Sequence, residues 1–301
     1  MNKSNIKSIH QSTLLEGFIT YKQKLNLLDK TITEYIQYTD KFISWLIESD
    51  NAKLDKTTVD KMLSSVTKKI AQSYIFYLRE SLSKGGLELK LNSVKKIRAS
   101  IQQVYNFIVM EEELLGNCFN GLQIPKDEIT EIKEYMYLHE ARLIFDNCES
   151  TQHRLLIGLG LFNGLRVSET ASIEVSNINL ESGTMDVLRK GRRLRRIDIA
   201  EEIMEDMKNQ VEICEALGRE YLFQSPRGCK PMSTNAIRDT FDFYLDKLGL
   251  NEDYVYHMNR KVFCTNLYYN EDMKIHEISK LLDHSSIKVT EIYMMNAKYV
   301  R

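Results

Sequence analysis

Hydrophobic residues recur at helical spacing through the first 125 residues of the chain. The first set is spaced by four, three and four positions and predicts one helix face: Leu14, Phe18, Tyr21, Leu25. A second set between positions 35 and 46 follows Thr31 and Thr33, either of which can cap a helix. Residues 57–83 predict one long helix or two shorter ones, stopped by Gly85-Gly86, and a fourth helix opens at Asn92-Ser93.

The pattern changes beyond residues 116–129, which collect two glycines, two asparagines and a proline and are the best linker candidate. Residues 184–199 form two β-prone runs around Lys190-Gly191 and predict a hairpin. Helical patterns surround it, at about 139–148, 153–162, 200–217, 233–248, 257–269 and 274–283. The second half of the chain is therefore expected to be mostly helical with one small antiparallel sheet.

The net charge of the whole chain argues against a nucleic-acid partner, but the charge of separate parts of the chain removes this objection. The 301 residues carry a net charge of −1, whereas nucleic-acid-binding domains are usually basic. Residues 1–126, however, hold 18 Lys and Arg against 13 Asp and Glu, and the acidic excess lies in the rest. Within that acidic part, residues 189–196 carry six basic side chains in eight positions. This run is either a solvated hairpin or a surface that meets phosphates.

The sequence also argues against a membrane protein, a secreted protein, a zinc-binding protein and a disulfide-rich protein. No stretch approaches the roughly 18 consecutive apolar residues of a membrane span, and the polar start lacks the apolar segment of a signal peptide. The five cysteines are scattered without a CxxC pair, so neither a zinc site nor a disulfide framework is expected. We therefore expect a cytoplasmic protein with reduced thiols and no membrane partner.

Four short stretches carry candidate chemistry, although each alone is better explained as ordinary surface residues. Residues 164–169 (GLRVSE) place Arg166, whose donors suit a phosphate, within reach of Glu169. Lys190 lies at the hairpin tip, and residues 257–260 (HMNR) put a histidine and an arginine on one helix face. Residues 281–286 (LLDHSS) precede Tyr293, which is one of 16 tyrosines.

Together, in this order and spacing, the stretches resemble the tyrosine recombinase (phage integrase) family, in its simple two-domain form. The resemblance covers about residues 130–301, and the helical segment before it is similar to the family's core-binding domain. It implies a mainly α fold: a helical, SAM-like core-binding domain and a mixed α+β catalytic domain with a small antiparallel sheet. The implied division is a tail at 1–11, a DNA-binding domain at 12–118, a linker at 119–132 and a catalytic domain at 133–301.

The resemblance also implies the roles of the site residues. The catalytic set would be Arg166, Lys190, His257, Arg260, His284 and the nucleophile Tyr293, with Glu169 in support. The DNA-binding set would be Arg189, Arg192, Arg193, Arg195 and Arg196. The arginines and His284 would stabilise charge on a phosphodiester, Tyr293 would form a 3′-phosphotyrosyl bond, and Lys190 would protonate the leaving 5′-oxygen.

By the same resemblance, neither a metal, ATP nor another cofactor is needed, because the phosphotyrosyl bond keeps the energy of the broken linkage. The partners would be double-stranded DNA recombination sites and three further copies of the chain, in a tetramer that passes through a Holliday junction. The biological setting would be either a mobile genetic element or the resolution of chromosomes or plasmids. Two alternatives remain: a DNA-binding accessory protein without catalysis, and a type IB topoisomerase-like relaxing enzyme.

Two positions depart from the family pattern. The family commonly has Gly where this chain has Asp283, whose carboxylate could orient His284, raise its pKa or face solvent. Asn259 stands where an apolar residue usually packs, so the packing beside Arg260 is a second open point.

Overall fold

The computed structural model describes residues 6–49, 58–80, 89–125, 135–189, 193–284 and 286–297. The chain divides into two compact units, Met1–Thr130 and Glu131–Arg301. Helices dominate both, and one three-stranded antiparallel sheet lies in the second unit. The mainly α fold with a small antiparallel sheet is therefore confirmed. None of the helices in the described ranges is long and apolar enough to cross a bilayer.

The first unit is a helical bundle. Its described helices are α1 Thr13–Lys24, α2 Asp29–Glu48, α3 Val59–Ser64, α4 Lys68–Glu80 and α5 Leu91–Glu111. Ser12 caps α1, since its hydroxyl accepts a hydrogen bond from the backbone of Leu15. Helix α2 begins before both threonines that were expected to cap it. The predicted 57–83 region contains two helices, and Gly85-Gly86 lies outside the described residues.

Aromatic side chains fill the core of the first unit. The rings of Phe42 and Phe119 meet edge to face at a centroid distance of 5.2 Å, and Phe119 is fully buried. Leu122 is buried in the same cluster. These two residues were expected in the linker 119–132, but the core extends beyond residue 118 because Phe119 fills its centre. The first predicted stripe is only half right, because Tyr21 and Leu25 are exposed.

The second unit surrounds a central helix. Its described helices are α6 Leu138–Asp146, α7 Thr151–Leu161, α8 Val167–Ala171, α9 Met204–Ala216, α10 Thr234–Leu248, α11 His257–Tyr269, α12 Ile275–Leu281 and α13 Ile287–Ala297. Helix α7 is the centre, because every residue from Leu155 to Leu161 is buried. Strands β1 Ile178–Asn179, β2 Thr184–Arg189 and β3 Arg193–Asp198 form the sheet in that order. The predicted hairpin is present as β2 and β3, and its turn at 190–192 lies outside the described residues.

Gly164 explains the first candidate motif in backbone terms. It follows α7 with φ +62°, a left-handed conformation that favours glycine. A Cβ at this position would also lie 2.5 Å from the ring of Phe263. The carbonyl of Gly164 accepts a hydrogen bond from Nη1 of Arg260 on α11 at 2.6 Å.

Candidate active site

A buried carboxylate, Glu169, gathers the cations of the site. Its Oε1 accepts from Nη1 of Arg166 at 2.6 Å, and its Oε2 accepts from the Arg166 backbone N–H at 2.9 Å, which opens α8. Nε of Arg189 lies 3.9 Å from Oε1, and Nη1 of Arg260 lies 3.8 Å from Oε2. Three guanidinium groups thus share one carboxylate. The cluster carries an excess of positive charge, which suits an incoming anion.

Arg260 is held rigidly beneath this cluster. Its side chain is fully buried and donates to the carbonyls of Gly164 and Leu282, both at 2.6 Å. Burial and the nearby Arg166 lower the pKa of Arg260 to about 10, so that it stays protonated at neutral pH. Its Nε is buried without a hydrogen-bond partner in the described part of the chain. Arg166, by contrast, keeps a third of its side chain exposed and can reach outward.

Arg189 differs from the solvent-facing or phosphate-facing cation that the basic run suggested. It is buried, with 4% of its surface exposed, and its Nη1 donates to the carbonyl of Leu282 at 2.9 Å. Strand alternation is the cause, because Met185, Val187 and Arg189 point to the core side of β2. Burial lowers the pKa of Arg189, while Glu169 raises it. Arg189 therefore belongs to the site cluster by position.

The other members of the basic run occupy varied settings. Arg193 is exposed, and Arg195 donates from Nη1 to the carbonyl of Lys280 at 2.5 Å. Arg196 is exposed and forms two hydrogen bonds with Asp186, at 3.0 and 2.9 Å. Lys190 and Arg192 lie outside the described residues. DNA contacts by this run stay predictions.

His284 stands just after a sharp helix end. The backbone N–H of Asp283 bonds to Lys280 and that of His284 to Ser279, and Asp283 itself has φ +52°. This is a Schellman ending of α12, in which the left-handed position favours glycine. The family's usual glycine at this position is therefore explained by the backbone, and Asp is among the residues that tolerate it.

The imidazole of His284 is oriented by a residue that the motifs did not identify. Its Nδ1 shares a hydrogen bond of 2.7 Å with the hydroxyl of buried Thr290 on α13. Its Nε2 is buried and has no hydrogen-bond partner among the described residues. Burial, followed by Arg260 and Arg166, lowers the pKa of His284 to about 4. Asp283 is not among the main causes of this shift, and its side chain is exposed, as expected if it faces solvent.

Tyr293 and His257 meet on the other side of the site. The Tyr293 hydroxyl lies 2.9 Å from Nε2 of His257, and the Tyr293 ring is 5.6 Å from that of His284. Burial, followed by Arg260 and Lys261, lowers the pKa of His257 to about 4. A neutral imidazole can accept a proton through an unprotonated Nε2. Burial raises the pKa of Tyr293, and Arg260 opposes this rise.

Asn259, the second departure from the family pattern, is a buried polar residue beside Arg260. The residue is fully buried, and neither its Nδ2 nor its Oδ1 has a hydrogen-bond partner in the described ranges. A Cβ on Gly160 of α7 would lie 3.1 Å from the Cβ of Asn259, so the two helices are close here. The position that the sequence left open thus holds a buried amide without a partner among the described residues.

Five of the six predicted catalytic residues thus meet in one cluster of the second unit, and the sixth, Lys190, is not described. A family comparison decides what this cluster belongs to. The model of the phage integrase family matches residues 132–299, more than half of the chain. The chain belongs to the phage integrase family. The resemblance read from the motifs is confirmed, and so, at the level of the family, is an enzyme of the tyrosine recombinase class.

Individual relatives extend the match over most of the chain. A protein named tyrosine recombinase from Agathobacter rectalis is 26% identical over 306 residues, covering 94% of this chain and 90% of the relative. Tyrosine recombinase XerC of Bacillus subtilis is 25% identical, with 92% and 89% covered.

Solved structures show the same fold. A lambda integrase dimer bound to a COC′ core site aligns with a TM-score of 0.68 at 17% identity, covering 95% of both chains. The Tn1549 transposon integrase in complex with transposon right end DNA aligns with a TM-score of 0.69 at 16% identity, covering 94% of both.

Proposed function

We propose that this protein is a site-specific DNA recombinase that cleaves and rejoins strands through Tyr293. The observation that carries the proposal is the hydrogen bond between the Tyr293 hydroxyl and Nε2 of His257, beside the cationic cluster. A tyrosine placed next to a neutral base and several arginines suits nucleophilic attack on a phosphodiester. The DNA partners named for the lambda and Tn1549 integrases support duplex DNA as the substrate.

The phosphate would bind where unsatisfied donors meet excess positive charge. Arg166 can reach it from the partly exposed side, and Nε2 of His284 can donate from the buried side. Attack adds negative charge to the nonbridging oxygens, and preorganised donors stabilise this charge more than they stabilise the ground state. Glu169 would keep the arginines in place without neutralising all of them.

Proton movements complete the step. As the Tyr293 oxygen bonds to phosphorus, its proton passes to Nε2 of His257, and the bond to the 5′-oxygen breaks. The 5′-oxygen leaves as a hydroxyl after taking a proton from Lys190, the proposed general acid. The product is a 3′-phosphotyrosyl bond. Attack by the 5′-hydroxyl of a second duplex reverses these steps and releases Tyr293, and two such exchanges in a tetramer pass through a Holliday junction.

The test uses nicked duplexes that carry the DNA flanking the protein's own gene, incubated with the full chain in EDTA. We expect a covalent protein–DNA adduct on a denaturing gel and, with two duplexes present, joined strands of exchanged partners. A mobility shift without adduct would favour the accessory DNA-binding alternative. Relaxation of supercoiled DNA without exchanged strands would favour the topoisomerase alternative.

A further inference from the structure

Two arginines of the basic hairpin donate hydrogen bonds to main-chain carbonyls at the C-terminal end of α12. Nη1 of Arg189 donates to the carbonyl of Leu282 at 2.9 Å, and Nη1 of Arg195 donates to that of Lys280 at 2.5 Å. Arg260 donates to Leu282 as well. The last carbonyls of a helix lack partners within the helix, and cationic donors at this end are favourable.

The sheet register accounts for the shared direction of these two side chains. Arg195 is paired with Val187 and lies on the core side of the sheet, the same side as Arg189. Arg196, the next residue, lies on the opposite side and pairs with Asp186. Neighbouring arginines of one strand therefore have different tasks, although the sequence presents them as one basic run.

The two arginines bind residues 280–282, the segment that sets the direction of His284. The carbonyl of Lys280 also accepts the backbone N–H of Asp283, and Leu282 is the last residue before the left-handed turn. His284 follows directly and presents an unpartnered, buried Nε2. A rotation of the α12 end would therefore change the direction of this donor.

We propose that Arg189 and Arg195 are positioning residues that fix the end of α12 and thereby aim His284 at the scissile phosphate. The inference rests on the proposed recombinase function, in which His284 donates to that phosphate. It reassigns two members of the basic run from DNA contact to support of a catalytic side chain, and it couples the hairpin to the turn at Asp283.

A double-mutant cycle tests this assignment. The single-turnover rate of adduct formation is measured at saturating protein, on a nicked duplex with which the wild type forms the adduct. Arg195→Ala and Arg189→Ala should each lower the rate about tenfold or more in the wild-type background. In a His284→Ala background the same changes should cost less than about twofold, because the side chain they aim is already gone. An equal loss in both backgrounds, or no loss in the wild type, would overturn the proposal.

Arg196→Ala is the matched control, because it removes the same charge from the adjacent position. If Arg196→Ala changes the rate of adduct formation, the factor should be the same in the wild-type and His284→Ala backgrounds. A thermal melt shows whether each variant folds. If Arg189→Ala does not fold, Arg195→Ala alone provides the test, because Arg195 is only half-buried. Failure of the wild type to form the adduct would refute the recombinase function itself, before this inference is reached.

Imidazole NMR gives a readout that does not depend on a residual rate. The chain has six histidines, and the His284 signal is assigned by its loss in His284→Gln. Arg195→Ala should shift this signal clearly more than Arg196→Ala does. Equal or absent shifts would contradict a positioning role.

Discussion

Tyr293 and His257 are joined by a hydrogen bond of 2.9 Å between the phenol oxygen and Nε2 of the imidazole. The pairing is electrostatically consistent, because burial and the surrounding cations keep the histidine neutral while burial keeps the phenol protonated. Arg260 and Arg166, which lower the pKa of His257, also act to lower that of Tyr293 and so favour its phenolate. The free protein and the protein that reacts with DNA would therefore depend on the same cations.

The first prediction concerns stability at acidic pH. In the folded protein the pKa values of His257 and His284 are about 4, against 6.5 for an ordinary histidine. Between these values the unfolded chain binds more protons than the folded protein, so the free energy of unfolding decreases as the pH falls from 6.5 towards 4. The drop in Tm between pH 7.5 and pH 5 should be smaller in a His257→Gln, His284→Gln double variant. An equal drop in both proteins would contradict buried, neutral histidines.

Glu169→Gln should destabilise the second unit strongly. The change removes the carboxylate that Arg166, Arg189 and Arg260 share and leaves buried cations uncompensated, at a cost of about 3–5 kcal/mol. Denaturant unfolding measures this loss. Glu277→Gln is the matched control, because Glu277 accepts from the backbone N–H of Lys274, the N-cap residue of α12, as Glu169 does from Arg166, but is exposed. The loss of stability in Glu277→Gln should be much smaller. Similar losses in both variants would contradict the role of Glu169 in compensating the three arginines.

Asn259→Leu should stabilise the protein. The buried amide has no partner in the described ranges, and an unsatisfied buried polar group costs about 1–3 kcal/mol. Leucine has the same branching and the same number of side-chain heavy atoms, and it matches the family's apolar preference at this position. Tm should therefore rise. Asn266→Leu, on the same helix, should bring no such gain, because the Asn266 amide donates to Glu271 at 3.0 Å.

Asp283→Asn should strengthen DNA binding at low salt. The carboxylate lines a cleft together with Arg166 and Arg189 and adds negative charge where DNA is proposed to bind. The gain should shrink as salt rises, because screening weakens the repulsion. Asp272→Asn is the control: Asp272 also has a left-handed backbone, with φ +51°, but does not line the cleft. Equal gains in both variants would point to a general charge effect.

The candidate catalytic residues could be predicted from the sequence, but the contacts that orient them could not. The motifs identified Arg166, His257, Arg260, His284 and Tyr293, because reactive residue types at family spacing need no packing detail. Thr290 carries no motif, and its contact with His284 depends on how α13 packs. Such a contact is a property of tertiary packing, which local patterns do not encode.

The basic run illustrates the same limit at a finer scale. Composition treats Arg189, Arg195 and Arg196 as equivalent cations, whereas strand alternation and register send them to different sides and partners. Alternation was predictable once the hairpin was recognised, but the side facing the core was not. Phe119 is a similar case: a segment with linker composition supplies the centre of an aromatic core.

The central claim is that Tyr293 is the residue that becomes bonded to DNA. Tryptic digestion of the adduct, followed by mass spectrometry, tests it directly, because residues 289–298 form a peptide with a single tyrosine, Tyr293. We predict that this peptide carries the nucleotide remnant and that Tyr293→Phe forms no adduct. A remnant on another of the 16 tyrosines, or an adduct that persists in Tyr293→Phe, would contradict the account.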